Sequence, residues 1–374
     1  MGNSKRLLIV ITLADWGGAQ TFIFKAAREA QRRGWEVLLT FGGEGLMETK
    51  CRDAGVPFRK LKQMKREISP IHDIGVIREL VGIIHEWKPD TLLLNSSKAG
   101  VVGSIAGRIA RVPKIIYRIG GWSFTDPVSP LQKTIRRWTE RLTAPLKDTI
   151  VVNTPDGVDL AHTHHIHPRG EVVLVPNGME LQAFDTALLP RDTARQELGG
   201  TDHAPLLFTI ANFFPAKGLP VFLDALALVA ASVPTIRTVI VGDGEGRAAL
   251  EEQRRTLHLE NIVMLPGQRQ DAGALMRGGD LFVLPSVKEG FPWALLEAMA
   301  AGTPAISTDV GGVRWIVEDT VTVVPIRDPR ALADAILETV RDLPAARIRA
   351  THARRVVETR FTEQQMWEKF FTVL

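Results

Sequence analysis

Short apolar runs with no polar alternation, each followed by a turn and a helical stretch, constrain this chain most. Residues 7–13 (LLIVITL) are the first such run. A strand apolar at every position suits a parallel sheet covered on both faces. Residues 21–33 then show helical spacing and stop at Gly34. Further strands are expected at 35–40, 56–61, 90–95 and 114–117, with helices at 74–87 and 100–110. Residues 148–153 and 171–176 read as the last strands of this unit, closed by the turn Asn177-Gly178. Residues 184–205 are polar, with Pro190, Gly199 and Gly200, and read as a linker or domain edge. The pattern then restarts, with strands at 206–211, 238–241, 262–265, 281–284, 305–308 and 321–324. Strand and helix in alternation give a parallel sheet, so the expected fold class is α/β with two doubly wound units in tandem. Ligands of such sheets bind at the carboxyl ends of the strands.

The length of 374 residues also favours two cores over one. Cys51 is the sole cysteine, so no disulfide can form within the chain, which suits a reducing compartment. Lys5 and Arg6 before the first apolar run imitate a signal peptide, but no small-residue cleavage site follows, and the run reads as a buried strand. The best membrane-span candidate, 220–233, carries Asp224 and suits a helix of a soluble protein. The expected localisation is cytoplasmic, with contact at the inner face of the plasma membrane as an option. Net charge is +4, and the basic residues are spread along the chain with no nucleic-acid motif. A solvated surface accounts for them; nucleotide phosphate or an anionic membrane would also use them.

Gly17-Gly18 lies between the first strand and its helix, where glycine lets a ligand approach and the helix terminus favours anions. A plain tight turn explains it equally well. Gly242, Gly244 and Gly246 are spaced GxGxG, not GxGxxG, and read as a structural turn. The richest segment runs from Ser286 to Pro304. Pro292 suits a first helical position, residues 294–301 form helix readily, and Gly302 with Pro304 ends it. Glu289 and Gly290 therefore precede a helix at the top of a sheet. Glu297 lies inside that helix among apolar neighbours, and a buried carboxylate needs a partner such as sugar hydroxyls. Lys217, in Asn212 to Gly218 after a strand, offers a point charge for phosphate. His162, His164, His165 and His167 read as a solvated loop in preference to a metal site. Trp138 sits in a basic helical stretch, 131–146, read as an amphipathic helix packed on the core, with an anionic membrane surface as the alternative.

Glu289 and Glu297 within EGFPWALLEAMAAGTPAIS closely resemble the EX7E motif of retaining family-four glycosyltransferases. The likeness covers nearly the whole chain: GGAQ, VPNGME, PAKG, VGDGEG, LPGQRQD, DLFVLPS, DVGG and the aromatic end FTEQQMWEKFF. It implies the GT-B fold, two Rossmann-like domains facing across a cleft that holds the donor. The domains would be 1–183 on the acceptor side and 184–357 on the nucleotide-sugar side, with 358–374 crossing back to the first. Glu297 would hold the donor ribose. Glu289, with Gly290, Phe291 and Pro292, would hold the transferred sugar. Lys217, Gly218 and the Gly17-Gly18 loop would hold the diphosphate, and Gly267, Gln268 and Arg269 would lie against the base. No metal is implied, because lysine and helix termini stabilise the leaving group.

Three departures mark this chain. Gly120 stands where the family carries histidine, Asn212 where it carries a phosphate-binding arginine, and Trp315 where it carries glutamate. Arg118 or Arg314 are candidates to restore the lost positive charge. The resemblance implies retaining transfer of a hexose or similar sugar from a UDP-, GDP- or ADP-sugar to a hydroxyl of a glycan or lipid-linked acceptor. Polysaccharide, lipopolysaccharide or glycolipid assembly is the expected setting, with no nucleic-acid partner. The alternative is a donor-binding protein of the same fold with impaired catalysis.

Overall fold

A computed structural model describes residues 4–65, 67, 69–201 and 204–374. The chain forms two compact units, one of Met1–Pro176 with Met366–Leu374 and one of Asn177–Gln365.

The first unit is a seven-stranded sheet. Its strands are β1 (Arg6–Leu13), β2 (Glu36–Gly42), β3 (Phe58–Lys60), β4 (Thr91–Asn95), β5 (Lys114–Arg118), β6 (Thr149–Val152) and β7 (Val172–Leu174). They lie in the order β3-β2-β1-β4-β5-β6-β7, all parallel. Central β1 pairs Leu8 with Leu38 of β2 and Leu92 of β4. Leu7 to Val10 are fully buried, as a strand covered by helices on both faces requires. Helix Gly18–Arg32 covers one face through Phe22, Ile23, Ala26, Ala27 and Ala30.

Residues 366–374 complete this unit. Trp367 and Phe370 bury beside Phe22, with ring centroids 5.2 Å away in each case. Phe371 meets Trp35 edge-on at 5.9 Å.

The second unit has six strands: β8 (Leu206–Ile210), β9 (Arg237–Val241), β10 (Val263–Gly267), β11 (Leu281–Leu284), β12 (Ala305–Thr308) and β13 (Thr322–Val324). They lie in the order β10-β9-β8-β11-β12-β13, again all parallel. Chain order reverses between β8 and β11, which is the switch point where doubly wound sheets bind ligands.

The stretch expected as a linker or domain edge lies near the start of this unit, which begins at Asn177, and is built into it. It forms helices Leu181–Ala187 and Arg191–Glu197, and Leu188, Ala194 and Leu198 enter the core. Its polar character has an internal use. Arg195 donates to Asp280 at 2.8 Å and to the carbonyls of Thr201 and Ala204 at 2.7 and 2.6 Å. Residues 215–232 are apolar enough by length and composition to cross a membrane. In the unit, the helix Leu219–Ser232 buries Phe222, Leu223, Leu226 and Val229 as a core element.

Candidate functional site

At the switch point, the loops that leave β8 and β11 are joined backbone to backbone. The Val287 and Lys288 amides both donate to the Ala216 carbonyl, at 2.9 and 3.2 Å. Gly218 has φ +63, and a Cβ there would stand 2.1 Å from the Pro285 carbonyl oxygen. Only glycine fits, because both the backbone conformation and the close approach exclude a side chain. The junction brings Lys217 Nζ to 2.7 Å from Glu289 Oε1. Ser286 Oγ donates to the same oxygen at 2.6 Å. Glu289 is nearly covered, at 8% side-chain exposure, while Lys217 keeps 28%. The loop after β12 supports this arrangement: Gly311 packs so closely that a Cβ would lie 2.4 Å from the Glu289 carbonyl oxygen.

Phe291 and Pro292 are buried and lead into helix Trp293–Ala301, which ends at Gly302 with φ +70. Leu295, Leu296 and residues 298–301 of this helix are buried. Glu297 lies among them, and its side chain forms no hydrogen bond or ion pair with another described residue. Its surroundings push its carboxyl up to about 7, through loss of hydration. Yet part of Glu297 stays solvent-accessible. A desolvated carboxyl group with no partner of its own could be satisfied by hydroxyls of a bound molecule.

The remaining residues flank this centre with differing freedom. Gly242 has φ +146, and a Cβ would fall 1.8 Å from the Ala211 carbonyl oxygen, so the chain's own packing demands that glycine. Gly267 closes β10 with φ +91, and its carbonyl accepts from the Gly242 amide. Gln268 is exposed beside it. Arg269 is bound to acids on its own surface, Asp271 at 2.7 Å and Glu197 at 3.2 Å. Asn212 is exposed at the start of the β8 loop. Arg314 is exposed and paired with Asp309 at 2.8 Å. Trp315 turns to Phe361, 5.6 Å away edge-on, with the Arg360 guanidinium 4.9 Å over its ring.

In the first unit, Gly17 precedes helix Gly18–Arg32, whose N-terminus has no side-chain cap. Gly17 has an extended backbone, and a Cβ would meet only Gln20, at 3.5 Å. Nothing in the fold requires glycine there. Arg118, at the end of β5, is buried, donating to Asn95 at 3.0 Å and lying 3.5 Å over the Phe22 ring. Burial lowers its guanidinium to about 9. Gly120 is exposed, and a Cβ there would meet nothing within 4 Å. Among the described residues no group of three His, Cys, Asp or Glu is placed to hold a metal. His164 packs edge-on against Phe124.

Ser286 escaped the sequence reading as a site residue. Its place three residues before Glu289 was the available signal.

Two family models cover most of the chain. The model "Glycosyl transferase 4-like domain" matches residues 17–178, and "Glycosyl transferases group 1" matches 204–342. The chain is 28% identical over 258 residues to an Escherichia coli UDP-Gal:alpha-D-GlcNAc-diphosphoundecaprenol alpha-1,3-galactosyltransferase, spanning 68% of this chain and 66% of that one. It is 32% identical over 262 residues to a Mycobacterium leprae phosphatidyl-myo-inositol mannosyltransferase, spanning 68% and 64%. The matches thus extend over just under two thirds of those relatives. In fold it is similar to Anabaena HepE, crystallised with UDP and glucose, at TM-score 0.83 and 22% identity over 98% of this chain and all of that one. Sucrose-phosphate synthase from Thermosynechococcus elongatus gives 0.83 at 19% identity, over 99% and 98%. The architecture is GT-B: two Rossmann-like units of parallel sheet.

Proposed function

Since the chain belongs to the group 1 glycosyl transferases, we propose that it moves a sugar from a nucleotide-sugar donor to a hydroxyl acceptor with retention of anomeric configuration. Assembly of polysaccharide, lipopolysaccharide or glycolipid is the proposed setting. The observation that carries the reading is the Lys217–Glu289 contact of 2.7 Å at the switch point of the second unit. Before donor arrives, these two charges neutralise each other. A diphosphate would draw Lys217 to itself as a mobile point charge. Glu289, kept in place by Ser286, would then accept hydroxyls of the transferred sugar, alongside the backbone of Gly290, Phe291 and Pro292. Glu297 would accept the ribose hydroxyls. Gly218 lets the backbone come close to the phosphates. Lys217 and that backbone together stabilise charge on the departing nucleotide without a metal. Gly267 to Arg269 would border the base.

Calorimetric titration with a panel of UDP-, GDP- and ADP-sugars tests this. Base-selective binding that Glu297→Gln abolishes, followed by transfer or slow hydrolysis of the bound sugar, is the expected result. Failure of every member of the panel to bind would remove the transferase reading. Binding without turnover on any acceptor would instead support the catalytically impaired alternative.

A further inference from the structure

Helix Pro130–Thr143 carries its apolar side chains on the outer face. Leu131, Ile135, Trp138 and Leu142 recur every three or four residues and so form one stripe. They are 70, 52, 48 and 70% exposed. On the opposite side Glu140 is buried. There it accepts from the Tyr117 hydroxyl at 3.1 Å and from Lys147 Nζ at 3.3 Å. Lys147 is fully buried and also donates to Thr143 at 3.0 Å. Rolling the helix to hide its stripe would strip Lys147 of these partners and leave a buried charge uncompensated. The outward stripe is therefore locked in place. A capping box between Ser129 and Gln132 fixes the helix start as well.

Charge decides what covers the stripe. Glu140 is the only acid of the helix and it faces inward. Lys133, Arg137 and Arg141 have no acidic partner among the described residues. Arg141 lies 5.0 Å over the Trp138 ring. Next to the helix end, Arg141, Leu142 and Pro145 border a shallow hollow shared with His165 and His167. A second copy packed on the same face would oppose like charges. An anionic surface would meet complementary ones.

We propose that this face docks the first unit on an anionic lipid bilayer. The four apolar side chains enter the boundary between headgroups and acyl chains, and Arg137 and Arg141, on the flank of the stripe, lie at phosphate level.

Flotation of the full chain with vesicles tests the proposal, comparing phosphatidylcholine alone with phosphatidylcholine plus phosphatidylglycerol. Binding is expected only to the anionic vesicles and is expected to weaken at high salt. Trp138→Ser with Leu142→Ser should lower the bound fraction about tenfold or more. Arg137→Gln with Arg141→Gln should raise the lipid needed for half-binding by about tenfold. All four side chains leave the core untouched, so circular dichroism and the thermal transition should not change, and donor affinity should persist. No binding to anionic vesicles, or binding that neither pair of substitutions alters, would overturn the proposal. So would a solution dimer that the Trp138 and Leu142 substitutions dissociate, which would make the stripe a self-interface.

Discussion

At the scale of single residues, the two carboxylates of the EX7E motif differ in environment. Glu289 is an ion-paired group with two partners; the Glu297 side chain has none, and burial pushes its carboxyl up to about 7. That difference has a thermodynamic sign. Between pH 4.5, the ordinary value, and about 7, the folded protein holds a proton on Glu297 that the unfolded chain has released. Stability must then fall as pH rises through this window. Glu297→Gln should remove the slope and stabilise the donor-free protein by roughly 1–3 kcal/mol at pH 8, readable by urea denaturation at pH 5 and 8. If ribose hydroxyls bind the ionised form, donor affinity of the unaltered protein should rise from pH 6 to 8. A stability profile identical in both proteins would show that Glu297 is not the desolvated group.

At the scale of elements, glycines in strand-end loops divide into two kinds. Gly218 and Gly242 are demanded by the chain itself, through positive φ and carbonyl oxygens 2.1 and 1.8 Å from a hypothetical Cβ. Gly120 and Gly17 are not, since Gly120 borders open space and Gly17 only an ordinary contact. Gly218→Ala is therefore expected to destabilise the second unit by several kcal/mol, on the order of 2–4, and to separate Lys217 from Glu289. Gly120→His should fold with an unchanged melting temperature and shift donor preference or turnover. Thermal melts and the nucleotide-sugar panel distinguish the two. A tolerant Gly218→Ala would disprove the close junction, and Gly120→His without effect on any donor would show that this position takes no part. The supposed compensating arginines have other attachments: Arg118 is locked under Phe22 and Asn95, and Arg314 pairs with Asp309.

At the scale of the molecule, the last nine residues belong to the unit that holds the first residues of the chain. Phe370 is fully buried and Trp367 nearly so, both against Phe22. Phe370→Ala should cost the first unit about 3–5 kcal/mol, and scanning calorimetry should show the loss in one transition while the transition of the second unit stays put. Equal losses in both transitions would mean that the two units melt as one.

The sequence by itself determined the periodicities. Continuous apolar runs could only be strands with both faces covered, and their alternation with helices made the sheets parallel. The segment from Ser286 to Pro304 declared its loop, helix and cap through local chemistry alone, with Glu289 and Glu297 in their positions. Partners distant in sequence were another matter. No local pattern says that Lys217 meets Glu289, 72 residues away, because that contact follows from β8 and β11 being neighbours. Residues 184–205 read as a linker or domain edge because polar composition does not reveal whether a polar group faces water; Arg195 satisfies Asp280 inside the fold. The helix Pro130–Thr143 shows the same limit most clearly. Its amphipathic spacing was plain in the sequence, yet which face turned inward depended on Tyr117 and Lys147, two buried polar groups from other elements that only the tertiary structure brings beneath it.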